Sequence, residues 1–246
     1  MAQDWWKKFF GEDYLTVYRG MHMLDNTKQE VEFIIKNLKL SKKGRILDLC
    51  CGHGRHSIAL AKKGYSVVGV DYSNYFLKLA KKYVADKNLN LSFVKKDVCK
   101  IDYREEFDVV LNLFTSFGLF SDRDNERVIK NVSKALRKGG KFFIDLNNEY
   151  YILRNYKTKD WQRGKNWEQL SERYFDPATS RNYDKRVVTI NNKVRKHEDV
   201  IRFYTYTELK ELLNKYNLRT KDVYGSYAGD KFTLDSKRMI IISEKI

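Results

Sequence analysis

One proline, three cysteines and four histidines stand out by their scarcity in a chain of 246 residues. Cys50, Cys51 and Cys99 cannot build a disulfide framework, and the first two are adjacent, a spacing that suits neither a bridge nor a tetrahedral zinc site. Only His53 and His56 lie near that pair, so no metal is expected. Small, easily buried thiols in a tight turn of a reduced protein explain the cysteines better. No apolar run approaches the roughly 20 residues of a membrane span. The opening stretch "MAQDWWKKFFGEDY" has neither an apolar h-region nor a small-residue cleavage site. These absences predict a cytoplasmic protein that does not engage a membrane. Internal repeats and low-complexity tracts are also missing.

What is present is a substantial apolar fraction, 42% hydrophobic with 14% aromatic, and a net charge of +16. The first is enough for a sizeable core. The second invites a polyanionic partner, because lysine and arginine neutralise phosphates. The basic residues are spread out, however, as lysines on the polar faces of helices such as "LKLAKKYVADK" and "VIKNVSKALRK". Nucleic acid is therefore a secondary reading, and the oligomeric state stays open.

From about residue 27 to 146, apolar and polar runs alternate in a βα rhythm. Thr27 with Glu30 reads as a capping box opening a helix that Gly44 breaks. "RILDL" reads as a buried strand, "RHSIALAKKG" as a helix, "YSVVGVD" as a second strand, and Ser73 as the cap of the next helix. "LSFVKKD", "FDVVLNLF" and "KFFIDL" supply strands three to five, the last after a helix expected to end on Gly139 and Gly140. This alternation predicts a doubly wound, mostly parallel sheet. From Asn147 to Tyr204 the period changes to two ("WEQLSERYF", "NYDKRVVTI", "KHEDVIRFY"), with Pro177 in a turn, which reads as an antiparallel excursion. Thr205 and Glu208 form a second capping box, and "LRTKDVYG" and "KRMIIISEK" supply two final strands. Their linker, "SYAGDKFTLDS", is long enough to reach over a site.

The stretch "ILDLCCGHGRHS" (residues 46–57) places Gly52-x-Gly54 between a buried strand and a helix, where backbone N–H groups are open to a ligand. Asp71 ends the next strand, where a carboxylate can accept from both hydroxyls of a ribose. Ser57 replaces the third glycine of the dinucleotide pattern. Asp48 adds a carboxylate that a dinucleotide does not call for and a cationic ligand does.

On these residues the sequence resembles the class I S-adenosylmethionine-dependent methyltransferases, over roughly residues 40–146 plus the last strands. The family's acidic-x-Gly-x-Gly-x-Gly motif falls on Asp48, Cys50, Gly52 and Gly54, with Cys50 in place of the first glycine. The resemblance implies a Rossmann-like sheet of seven strands, with an antiparallel β insertion between strand five and the following helix. It makes Asp71, with Tyr72 beside it, the ribose end of the site, and sets Asp97 and Val98 against adenine. Asn112 and Leu113 fall beside the methionine part, and Arg55 near its carboxylate. S-adenosyl-L-methionine is the implied cofactor and S-adenosyl-L-homocysteine its product.

Three parts are expected: a cap and cofactor-binding core (1–146), a β lid (147–204), and a helix with two strands completing the core (205–246). Such a lid suits a small-molecule acceptor methylated at N or O. An RNA or protein methyltransferase is the first alternative, and a non-catalytic S-adenosylmethionine-binding protein the second. No catalytic residue is conspicuous. Tyr14 and Tyr18 in the aromatic N-terminal segment, and Phe117 with Thr115 and Ser116 in "FTSFG", are candidates for the acceptor side. Tyr206, with Tyr204 and Tyr227, is another, and a tyrosine base requires a pKa well below about 10.

Overall fold

The computed structural model describes residues 4–246, so the first three residues of the expected cap segment lie outside the described residues. Two short helices come first, α1 (Trp6–Phe9) and α2 (Glu12–Gly20), followed by α3 (Thr27–Leu38). The βα rhythm then produces β1 (Arg45–Leu49), α4 (Arg55–Lys62), β2 (Ser66–Asp71), α5 (Asn74–Val84) and β3 (Leu91–Lys95). It continues through β4 (Phe107–Asn112), α6 (Asp122–Ala135) and β5 (Leu136–Asn147). Helix α7 (Glu149–Arg154) leads into β6 (Lys159–Arg163), β7 (Trp167–Asp176), β8 (Arg181–Ile190) and β9 (Lys193–Arg202). Helix α8 (Tyr206–Lys215) and strands β10 (Leu218–Tyr224) and β11 (Arg238–Lys245) complete the fold.

Two sheets result. The larger has seven strands in the order β10-β11-β5-β4-β1-β2-β3. Its first five strands pair in parallel, while β11 runs antiparallel to both β5 and β10. The smaller is an antiparallel sheet, β6-β7-β8-β9, lying in sequence between β5 and α8. The expected architecture is therefore found. Alternate residues of the central strands enter two cores, Leu47, Leu49, Val110 and Ile144 on one face and Ile46, Val109, Leu111 and Phe143 on the other. Covering both faces explains why these strands read as continuous apolar runs. No helix among the described residues is long and apolar enough to cross a membrane.

Several local expectations fail for identifiable reasons. Helix α6 ends at Ala135, and Leu136 already pairs with Phe107, so the glycine pair lies inside β5. Helix α3 ends at Lys39 in the left-handed region, before Gly44, with the Leu38 carbonyl taken by Lys141 Nζ at 2.8 Å. Strand β6, with the polar sequence "KDWQR", and helix α7 give no usable periodic signal. The caps at Ser73 and Thr205 are present as expected.

The predicted Thr27–Glu30 capping box does not form. The Glu30 carboxylate turns away from its own helix end to meet Arg55 Nη1 and, at 2.7 Å, His56 Nε2. Thr27 Oγ1 accepts a second bond from Arg55 Nη1 at 2.9 Å. A buried cation at the start of α4 recruits the acid that an isolated helix would keep for itself. Burial alone would raise the Glu30 carboxyl, but its bond to His56 and the charges of His56 and Arg55 hold it at about 2 rather than 4.5.

The two sheets are joined at Gly118. Arg202 N–H at the end of β9 donates to the Gly118 carbonyl at 2.8 Å. Gly118 has φ +91°, and a Cβ there would sit 2.2 Å from the Arg202 carbonyl oxygen. Only glycine allows that approach.

Two outcomes follow from these contacts. Gly118→Ala combines left-handed strain of about 1–2 kcal/mol with a backbone clash and should lower the urea midpoint; an unchanged midpoint would refute the close approach. Because the Glu30 carboxyl is depressed, its stabilisation is full above its ordinary 4.5 and lost as pH falls toward about 2. Glu30→Gln should cost roughly 3 kcal/mol at neutral pH and less near pH 3. Denaturation at both pH values checks this, and an equal loss at each would contradict it.

Candidate functional site

At the C-terminal ends of β1, β2 and β4 lies a cleft of about 900 Å³, counted to its open mouth. Its floor is the turn between β1 and α4. Cys50, Gly52 and Gly54 all adopt positive φ, +54°, +58° and +79°. A Cβ at Gly54 would lie 2.7 Å from the Phe93 ring, whereas one at Gly52 would meet nothing closer than 3.9 Å. Cys50, where the resemblance expects glycine, therefore takes the left-handed conformation at a cost of about 1–2 kcal/mol.

Carboxylates hold this turn from two sides. Asp71 Oδ2 accepts the Gly52 N–H at 2.8 Å and Oδ1 accepts the Ser73 N–H at 2.7 Å. Asp48, buried at the end of β1, accepts from the Ser57 hydroxyl. The residue that breaks the dinucleotide pattern thus anchors the acid that a cation requires. Burial raises both Asp48 and Asp71 above their ordinary values. Asp97 caps the single turn Val98–Lys100, accepting Cys99 N–H at 2.9 Å.

Arg55 also lines the cleft. Its Nη1 is held by Thr27 and Glu30, and the guanidinium lies 5.3 Å from the Phe114 ring centre. Its Nη2 is buried and unpartnered. His53, in the glycine turn, is lowered to about 4 by burial and by the neighbouring cations, so its imidazole is neutral at physiological pH.

Of the residues expected at a site, Asp48, Cys50, Gly52, Arg55, Asp71, Tyr72, Asp97, Val98 and Leu113 line this one cleft, and Tyr14 joins them. Asn112 does not. It is buried at the end of β4 with both amide atoms unpartnered. Phe117, expected to wall an acceptor pocket, lies in the core against Tyr204, with ring centres 5.1 Å apart. Thr115 is also turned inward, accepting Asn147 N–H at 3.0 Å, while Ser116 does reach the cleft. Tyr206 packs beside Phe232, and Tyr227 against Phe33 and Phe143, so the linker before β11 packs on the sheet face that α3 covers and does not line the cleft. Burial pushes Tyr14 and Tyr227 well above 10 and Tyr204 to about 12, which argues against each as a base.

The sequence reading missed an aromatic wall. Trp6 meets Tyr72 and Phe120 edge to face, with ring centres 4.9 and 5.2 Å apart, and all three line the cleft. The aromatic density of "DWWKKFF" was the available signal; its partner in the α6 approach was not legible. Together these groups suit a ligand with a flat ring, a vicinal diol, a positive charge and a carboxylate. The first fits the aromatic wall and the second Asp71. The third is favoured by the three aspartates, and the unpartnered Arg55 Nη2 answers the fourth.

Residues 46–140 match the family described as "Methyltransferase domain". The chain is 30% identical over 160 residues to a ubiquinone biosynthesis O-methyltransferase of Coxiella burnetii, covering 64% of this chain and 61% of the relative. It is 34% identical over 166 residues to the glycine N-methyltransferase of Mus musculus, covering 61% and 53%. The chain thus spans about three fifths of the first relative's length and about half of the second's. In fold it is similar to an S-adenosylmethionine-dependent methyltransferase from Clostridium acetobutylicum, with a TM-score of 0.83, 20% identity, and coverage of 94% and 97%. The glycine turn and the aspartates Asp48, Asp71 and Asp97 all lie within the segment that matches the methyltransferase domain, and the chain as a whole shares its fold with the S-adenosylmethionine-dependent methyltransferase it resembles.

Proposed function

We propose that this protein transfers a methyl group from S-adenosyl-L-methionine to an N or O atom of a small molecule held beneath the four-stranded sheet. The observation that carries the reading is the convergence of Asp48, Asp71, Asp97 and the half-free Arg55 guanidinium on one cleft. Bound there, S-adenosylmethionine supplies an electrophilic methyl group on a positively charged sulfur, and S-adenosylhomocysteine is left.

The chain's own residues bind, orient and exclude water. Asp71 offers its carboxylate edge to the ribose diol while its other lone pairs keep Gly52 and Ser73 in place. Trp6, Tyr72, Val98 and Phe120 take the adenine ring between apolar surfaces. Arg55, oriented by Glu30, meets the amino-acid carboxylate through Nη2, and Asp48 supports the positive end from below. Tyr14 stays a protonated phenol at neutral pH and acts by shape and hydrogen bonding. Positioning is therefore the main contribution, which suits an acceptor whose attacking atom already carries a free lone pair.

The relatives' printed names include an O- and an N-methyltransferase with small-molecule contexts, which supports the acceptor class and leaves the methylated atom open. A polymer acceptor is favoured by one feature, a groove on α4 and α5 where Arg19, Lys62, Lys82 and Lys87 gather. Incubation with methyl-labelled S-adenosylmethionine and a host lysate separates the two readings. Label in the small-molecule fraction supports the first, label in RNA or protein the second, and label nowhere a binding protein without turnover.

Asp71→Asn keeps the size of the side chain and removes its charge. Calorimetry should show S-adenosylhomocysteine binding weakened at least about tenfold, or 1.4 kcal/mol, and because an amide keeps only one of the two acceptors that hold Gly52 and Ser73 the melting temperature should fall as well. Unchanged affinity would sink the ribose assignment.

A further inference from the structure

A second cavity, open to solvent and of about 330 Å³, lies between the inner face of the small sheet, α7 and the end of α2. Helix α2 divides it from the cofactor cleft. Tyr14 and Tyr18, four residues apart on that helix, stack with ring centres 4.0 Å apart; Tyr14 lines the cleft and Tyr18 the second cavity. The two spaces thus share one wall of two rings.

Period-two alternation decides what faces this cavity. Along β8, Asn182, Asp184 and Arg186 point inward, and β7 adds Gln169 and Arg173. These are unusual residues for the buried face of a sheet. Asp184 is 1% exposed, and its Oδ2 accepts from Arg173 Nε at 2.9 Å, while Arg186 Nε lies 3.1 Å away as an ion pair without a hydrogen bond. Its Oδ1 has no partner. A buried carboxylate oxygen left bare costs more than a hydrogen bond returns, so this atom calls for a donor.

The cations nearby are already committed. Arg173 pairs with Asp160 and Asp184, and Arg186 with Asp184 and with Asp199, to which its Nη2 donates at 3.1 Å. Lys157, the remaining cation of the lining, is 70% exposed and lies 3.9 Å from Asp160, so no buried cation is left over for an anionic guest, and the amides of Gln169 and Asn182 favour partners with several hydroxyl or amino groups.

We infer that this cavity is the acceptor site and that it takes a small molecule rich in hydroxyl and amino groups, without negative charge, whose donor group satisfies Asp184 Oδ1. This rests on the methyltransferase reading above. Transfer then requires the Tyr14–Tyr18 pair to part enough for the acceptor's reacting atom to reach the cofactor cleft.

The chain has four methionines, of which Met21 and Met23 line the cavity while Met239 is buried in the main sheet. Methyl-labelled methionine NMR is therefore a local reporter with an internal control. With S-adenosylhomocysteine saturating, D-glucosamine should shift the Met21 and Met23 signals and leave Met239 still. Glucose 6-phosphate and catechol should leave all of them unmoved. Asp184→Asn, folded as judged by Met239 and by unchanged S-adenosylhomocysteine affinity, should weaken the glucosamine effect at least about tenfold. If that variant fails to fold, Gln169→Leu, which leaves the ion pairs intact, should give a smaller loss in the same direction. S-adenosylhomocysteine binding with no glucosamine shift would overturn the acceptor assignment alone. Equal responses to all three probes would do the same. Failure of S-adenosylhomocysteine to bind would overturn the cofactor reading and this inference together.

Discussion

The glycine turn at the end of β1 keeps one bond to the neighbouring strand, Cys51 N–H to the Val70 carbonyl at 3.0 Å, and one within itself, Gly54 N–H to the Cys51 carbonyl at 3.0 Å, so the N–H of Gly52 needs something outside the turn to take it. In this protein that something is the Asp71 carboxylate, which reaches from the neighbouring strand to Gly52 while its other oxygen starts the next helix through Ser73. One side chain thereby sets the mouth of the cleft, the entry of α5 and the spacing of β1 from β2. The parallel register of those strands, with Leu49 beside Val70, is what brings the acid within reach. The Asp48–Ser57 bond does the matching work on the helix side of the turn.

The Glu30, Arg55 and His56 group shows the same economy one layer out. A helix preceding the sheet gives up its own capping interaction to orient a cation on the helix that follows β1. The exchange is favourable because an arginine buried without an anion costs several kcal/mol, whereas an absent N-cap costs about one. Local preference yields to tertiary demand at the place where a ligand charge has to be met.

Much of the fold was legible in the sequence because the parallel sheet is buried on both faces, so its strands announce themselves as apolar runs between glycine and capping signals. The cofactor-side acids were legible for a related reason: each lies within two residues of a strand's C-terminal end, and strand ends are fixed by the same pattern. The aromatic wall was not, since Trp6 and Phe120 lie 114 residues apart and meet only in three dimensions. The Phe117 expectation failed because position after a strand does not say which way a side chain turns in a loop whose Phe114 and Thr115 both take positive φ. Strand β6 and the inward charges of β8 escaped notice because a polar residue in an alternating strand is read as solvent-facing. The inner face of the small sheet breaks that assumption.

Helix α2 is short, yet its two tyrosines face different chambers through a single stacked contact. Because they are spaced by about one helical turn, the helix works as a spindle whose rotation moves both walls at once. A one-residue insertion between Tyr14 and Tyr18 turns the second ring by roughly 100°. The proposed donor and acceptor chambers would then lose their alignment even though every residue lining them remained.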